Sequence, residues 1–236
     1  TLGNGVYDLF GISNQLFNIS SIQFALHYMF ENSKTLHKFL KNVSDFTQPG
    51  GFFIGTCFDG VKIFEMLKSL KYGDEKQIMK DDTKIWSVKK QFHASEYPSN
   101  EQCVGYEIDI YQETINKYTK EYLVNFEYLT QILQDYGFTT LSKKECSTKN
   151  IPSGIGSFET LFNIMENLRD SQFNSARLLS DEEKQISFLN NYFIFKKTHN
   201  VDTNQILKMY IDEDVNQSND FTIGKPIKLN TRLKLV

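Results

Sequence analysis

Cysteine is scarce in this chain: Cys57, Cys103 and Cys146 are the three among 236 residues. They are odd in number and far apart, with no C-x-x-C pair and no Cys/His cluster at ligand spacing. A disulfide framework or a zinc site is therefore not expected, and a reducing, intracellular setting is. An excess of positive charge is also missing. With 26 Lys and Arg against 29 Asp and Glu, the formal net charge is −3, so any nucleic-acid contact has to be a local patch. No apolar run approaches the roughly 18–20 residues of a membrane span, and no signal peptide opens the chain. Residue 1 is Thr rather than Met, so the expectation is a segment of a longer polypeptide. What the chain does have is aromatic bulk. Its 20 Phe and 12 Tyr sit within a 40% hydrophobic composition, enough for one large domain or two small ones.

The stretch FNISSIQFAL (17–26) reads as a buried strand. Ser33 is placed to cap a helix over 33–47, where Leu36, Phe39, Leu40 and Val43 recur at helical spacing. Pro49-Gly50-Gly51 breaks that helix, and GFFIGTC (51–57) is a nearly continuous apolar strand of the kind covered on both faces. VKIFEMLKSL (61–70) returns to helical period. Strand–helix–strand–helix order predicts an α/β fold with parallel strands and crossover helices. Residues 71–102 are more polar and read as an inserted lobe, followed by the alternating strand GYEIDIY (105–111). EYLVNFEYLTQILQDYGF (121–138) is predicted helical, TTLSKKE (139–145) a strand, SFETLFNIMENLRD (157–170) a helix and FLNNYFIFKK (188–197) a strand. The tail turns acidic over 212–220. It then carries Lys225, Lys228, Arg232 and Lys234 with no acid, a pattern open to an edge strand, a partner-binding segment or a disordered end.

In open α/β sheets, ligands sit at the carboxyl ends of strands. Gln23, Phe24, His27 and Tyr28 fall where the first strand ends, and Cys57, Phe58 and Asp59 where the second ends. By itself His27 reads as an ordinary packed or surface histidine. Glu121 by itself reads as a helix-start acid favoured by the dipole.

Taken together, SIQFALHYMFEN, LKNVSDFTQPGGFFIGT and EYLVNF resemble the messenger-RNA cap guanine-N7 methyltransferases, over roughly residues 15–197. The closest flavour is that of capping enzymes of large DNA viruses. The resemblance implies a class I, Rossmann-like α/β fold dependent on S-adenosylmethionine. It divides the chain into a partial methyltransferase domain at 1–199, with 71–120 as lobe and following strand, and an extension at 200–236. It implies that Gln23 contacts the methyl donor, Phe24 lies against the cap guanine, and His27 and Tyr28 contact the guanine edge. It further implies that Glu121 accepts from guanine N1–H and N2–H. A carboxylate offers two acceptors to two adjacent donors, an edge no other base presents.

Two departures stand out. Where the family often has Pro after G-T-T, this chain has G-T-C followed by Phe58, which keeps an apolar contact of altered shape. Where the family's late strand usually places a cap-pocket Tyr, this chain aligns Asn190, with Tyr192 two residues on and on the same strand face. A third difference is larger. No glycine-rich turn opens a helix, and GNG at 3–5 precedes no amphipathic helix, so the fold is expected to be truncated before its fourth strand.

The implied activity is transfer of a methyl group from S-adenosylmethionine to N7 of the cap guanine, by orientation without a general base. The implied partner is 5′-capped RNA, with other capping domains or a stimulatory subunit as further partners and no membrane. The setting would be host cytoplasm or virion for a viral protein and the nucleus for a cellular one. Two alternatives stay open: a noncatalytic cap- or RNA-binding or assembly fragment, and a small-molecule methyltransferase half with His27 as base.

Overall fold

The computed structural model describes residues 16–168 and 173–217, side chains of 212–217 excepted. Strand β1 (Phe17–Gln23) lies parallel to β2 (Thr47–Phe58). A 3-10 turn over Leu26–Glu31 and helix α1 (Ser33–Phe46) make the crossover. Asn32, not Ser33, caps α1, its side chain accepting from the Thr35 N–H at 2.8 Å. Leu36, Leu40 and Val43 then point inward at the spacing the sequence showed. The helix stops at Phe46, and Pro49-Gly50-Gly51 falls inside β2 rather than ending α1. There the pairing register shifts, and Gly50 takes φ +85°, a left-handed backbone that glycine adopts without strain.

The other edge of β2 pairs antiparallel with β9 (Asn190–Lys197). Both β7 (Phe138–Thr140) and β8 (Ile155–Ser157) pair with β9, giving the order β1-β2-β9-β7 with β8 beside β9. Flanked on both sides, β2 buries Phe53 and Cys57, as its apolar run predicted. The expectation of a buried first strand is corrected: β1 ends at Gln23, and Phe17 and Ile19 are 46% and 56% exposed. Among the described residues β1 pairs with β2 alone. Apolar letters do not say whether a strand has neighbours on both sides.

Helix α2 (Gly60–Leu67) leads into a second sheet, β3 (Glu75–Lys80), β4 (Thr83–Lys90), β5 (Glu107–Gln112) and β6 (Lys117–Tyr122), antiparallel in chain order. One face of it closes over α2, where Ile63 and Phe64 meet Trp86, Val88, Ile108 and Ile110. Two further expectations are corrected here. Glu121 and Tyr122 end β6 instead of opening a helix, so Glu121 is no helix-start acid. The helix, α3 (Phe126–Asp135), begins only after Asn125, whose side chain accepts from the Glu127 and Tyr128 N–H groups. The stretch read as a strand at 139–145 is the short β7 followed by α4 (Lys143–Thr148), started by a Ser142–Glu145 capping box. Beyond it come α5 (Phe158–Asn167), α6 (Asn174–Arg177) and α7 (Asp181–Ser187). A further helix, α8 (Thr203–Gln217), lies within the extension, where no helix was expected. It docks on α1 through Tyr210, which stacks on buried His37 at 3.9 Å between ring centroids. The glycines at 3–5 and the basic run from Lys225 lie outside the described residues.

Candidate functional site

The site forms where the two sheets meet. Gln23 closes β1, and its side chain is fixed on both sides: Thr56 Oγ1 donates to Oε1 and Nε2 donates to Ser21 Oγ, each at 2.9 Å. The next residue, Phe24, adopts φ +50°, and its N–H donates to Thr56 O at 2.8 Å. A left-handed backbone at a residue with a Cβ costs on the order of 1–2 kcal/mol. The chain turns sharply here instead of extending β1, and this leaves the Phe24 ring 54% exposed.

The turn carries His27 inward and leaves Tyr28 half exposed against it, with ring centroids 4.2 Å apart. From the other sheet, Glu121 approaches His27 until Oε2 lies 3.5 Å from Nδ1. Both residues are only 5% exposed. Neither His27 nitrogen nor Glu121 Oε2 has a hydrogen-bond partner among the described residues. The other carboxylate oxygen, Oε1, receives only a long contact from Thr119 Oγ1 at 3.4 Å. Buried polar atoms in folded proteins are almost always hydrogen-bonded, so His27 Nε2 and a carboxylate–imidazole contact of 3.5 Å with no hydrogen bond on either side call for an explanation.

Burial sets the charges. It pushes the Glu121 carboxyl up to about 7, against a small opposing pull from Thr119. It pulls the His27 imidazole down to about 4, so that ring is neutral near pH 7. Burial first, and the Glu121 charge second, raise the Tyr28 hydroxyl. The junction thus holds a neutral imidazole and a carboxyl near its midpoint, with Glu121 Oε2 making no hydrogen bond. It suits a planar ligand that presents adjacent N–H groups.

The predicted residues divide. His27, Tyr28 and Glu121 come together at this junction, and Gln23 and Phe24 stand at the end of β1 that leads into the turn carrying His27 and Tyr28. Phe58 ends β2 as the cross-strand partner of Asn190, and its ring leans toward Trp86 of β4 at 6.0 Å. Tyr192 pairs with Thr56, and its hydroxyl donates to Ser153 O at 3.2 Å and lies 3.0 Å from Ser153 Oγ. Asn190 donates to Ile186 O and Ser187 O and leaves its buried Oδ1 unpaired. Asp59 caps α2 and accepts from Asn191 Nδ2 at 3.0 Å, which fixes the end of β2. Among the described residues, no group of three or more His, Cys, Asp or Glu side chains is placed to hold a metal ion. No described helix is long and apolar enough to cross a membrane.

Sequence reading missed Thr119, which touches Glu121, and Glu31, whose Oε1 accepts from Tyr122 Oη at 3.3 Å. It also missed Phe158, whose ring meets Phe24 edge-on at 6.2 Å. Thr119 lies two residues before Glu121 on the same strand, Glu31 reaches the neighbouring Tyr122, and Phe158 meets Phe24 only through the fold. No local spacing could have signalled Phe158, which lies more than a hundred positions away.

The family model described as the mRNA (guanine-N(7))-methyltransferase domain matches residues 4–198. The mRNA cap guanine-N(7) methyltransferase of Candida glabrata is 27% identical over 188 residues, covering 76% of this chain and 43% of that protein. A probable mRNA-capping enzyme of Acanthamoeba polyphaga mimivirus is 25% identical over 183 residues, covering 73% of this chain and 14% of its own length. Among solved structures, an S-adenosylmethionine-dependent methyltransferase from Clostridium acetobutylicum aligns with a TM-score of 0.41 at 13% identity, covering 79% of this chain and 60% of its own. The chain spans about half or less of the length of the curated relatives it matches.

Proposed function

Because the chain belongs to the mRNA (guanine-N(7))-methyltransferase family, we propose that the His27–Glu121 recess holds the guanine of an RNA 5′ cap while its N7 is methylated. The observation that carries this reading is the buried Glu121 carboxyl, with Oε2 making no hydrogen bond and only facing His27 Nδ1 at 3.5 Å, and with Oε1 only weakly engaged. Guanine N1–H and N2–H are adjacent donors, and one carboxylate meets both. Neutral His27 and half-exposed Tyr28 border the same edge. Phe24 offers its exposed face for stacking, worth on the order of 1–3 kcal/mol per base. Phe58 and Tyr192 contribute apolar wall, since the Tyr192 hydroxyl is already engaged by Ser153.

The methyl donor is S-adenosylmethionine, which supplies an electrophilic methyl when bound. The residues present fit it as one edge. Gln23 stands at the carboxyl end of β1 with its amide held by Thr56 and Ser21, an ordered polar rim. The chain's own work is orientation. Guanine N7 carries an unprotonated lone pair, so no general base is needed, and holding the nucleophile in line contributes about 7–11 kcal/mol. As the purine gains positive charge, an ionised Glu121 on its edge stabilises the change. The partner is capped RNA, and fused capping domains or a stimulatory subunit complete the proposal.

The test compares two adjacent residues. Glu121→Ala should weaken binding of a cap analogue sharply, while Tyr122→Phe, which removes only the contact to Glu31, should leave it near parental. Equal affinity for Glu121→Ala and the parent would remove Glu121 from the site.

A further inference from the structure

Phe24 is the exposed ring of the site, and an exposed ring on a short turn has rotamers to lose when a base stacks on it. The ring that restrains it is Phe158, at 6.2 Å and an interplanar angle of 79°. A T-shaped contact sets the two ring planes against each other and covers at most one face of Phe24.

Phe158 is itself firmly placed. It is the first residue of α5, directly after β8, and β8 is registered on β9 through Ile155↔Phe193, Gly156↔Tyr192 and Ser157↔Asn191. The Ser157 side chain caps the helix by accepting from Thr160 N–H at 3.1 Å. Ser153, just upstream, is tied to the Tyr192 hydroxyl. A Cβ at Gly156 would lie 2.6 Å from that hydroxyl, so β8 sits flush on Tyr192 only with glycine there. Phe24 is tied to the same sheet through its N–H to Thr56 O, and Thr56 is the cross-strand partner of Tyr192. Both rings therefore hang from one rigid frame.

We propose that Phe158 is a positioning residue for the cap guanine: its ring holds Phe24 in the orientation that stacks a free face on the base. The role rests on the guanine-site reading above. Phe158 acts through Phe24 and makes its contribution by ordering that ring before the ligand arrives.

The test titrates a capped, unmethylated dinucleotide, GpppA, into the parent chain, Phe158→Ala, Phe158→Leu, Phe158→Tyr and Phe24→Ala. Thermal unfolding and the Phe24 ring resonances of the free proteins are followed alongside. Phe158→Ala and Phe158→Leu should bind roughly 5–20-fold more weakly, and Phe158→Tyr about as well as the parent. The Phe24 resonances should shift in the Ala and Leu variants and return in the Tyr variant. Leu keeps volume at the start of α5, so it supplies the answer if the Ala variant does not fold. Parental affinity in the folded Leu variant overturns the positioning role while leaving the guanine site standing. Parental affinity in Phe24→Ala, or no binding by the parent chain, overturns the guanine site as well.

Discussion

Glu121 Oε2 and His27 Nδ1 lie 3.5 Å apart across the junction of the two sheets, both buried and neither with a hydrogen-bond partner among the described residues. One comes from the end of β6 and the other from the turn after β1. A buried pair of this kind is held in place by the surrounding fold more than by its own attraction. Its consequences for stability and for binding therefore run in opposite directions.

Stability should improve when the acid is removed. A carboxyl pushed up to about 7 holds its proton more tightly in the folded chain than in the unfolded one. Its favourable contribution is complete below the unfolded value near 4.5 and disappears as pH rises through about 7. Above pH 7 the parent carries a buried charge that Glu121→Gln does not. The variant should be more stable than the parent at pH 8 by about 1–3 kcal/mol, and nearly equal to it at pH 5. Urea unfolding at the two pH values checks this. A variant equally destabilised at both would mean that the carboxyl serves the fold.

Binding should follow the opposite pH course. Accepting from two N–H donors requires the ionised carboxylate, so cap-analogue affinity should fall about tenfold per pH unit once pH drops below the carboxyl midpoint near 7. His27 does not reverse the trend in that window. Pulled down to about 4, it stays neutral until well below pH 6, and its own contribution to stability is present above 6.5 and lost only as pH falls through about 4. Titrations at pH 6 and pH 8 in matched ionic strength read the slope. A flat profile with intact binding would show that the carboxyl is ionised throughout, with its partner elsewhere.

The strained turn offers a separate check. Phe24 stands at φ +50°, a conformation that glycine adopts freely. Phe24→Gly should relieve about 1 kcal/mol of backbone strain, partly offset by the extra freedom glycine gives the unfolded chain. Its thermal midpoint should stay close to the parent's while cap-analogue affinity drops by at least about tenfold, the loss of one stacked ring. A large fall in the midpoint would instead show that the ring supports the fold.

Much of the framework was legible because it is local. The α1 stripe, the apolar run of β2 and the aromatic run of β9 each declare themselves within a dozen residues. The motif around Gln23–Tyr28 was legible for the same reason. What stayed hidden depends on partners distant in sequence. Whether β1 is buried is decided by which strands flank it, and among the described residues only β2 does. Glu121 looked helical because a strong helix begins five residues later, yet the start signal is Asn125, and the residues before it pair with β5. The second sheet was obscured because β3 and β6 are largely polar and exposed. Helix α8 is anchored by Tyr210 stacking on His37, a contact no periodicity reveals.

Among the described glycines, Gly55 leaves the least room for a side chain, and it gives the last prediction. Gly55 lies in the second half of β2, flanked by β1 and β9. A Cβ there would lie 2.2 Å from Ile22 O and 2.4 Å from Cζ of the fully buried Phe193. The first is backbone of the strand that ends in Gln23 and Phe24, and it cannot yield without moving that strand. The second is a ring packed against Phe53 and Phe195, with no free side to turn toward. Gly55→Ala should therefore cost about 2–3 kcal/mol or more. Because β1 moves outward with its turn, cap-analogue affinity should fall as well in whatever fraction stays folded. Denaturant unfolding of Gly55→Ala beside Gly50→Ala separates packing from backbone freedom. Nothing lies within 4 Å of a Cβ at Gly50, so its penalty comes only from φ +85° and should stay near 1–2 kcal/mol. If the two variants lost the same stability, the close approach of β1 and β9 to Gly55 would not be what sets the penalty there.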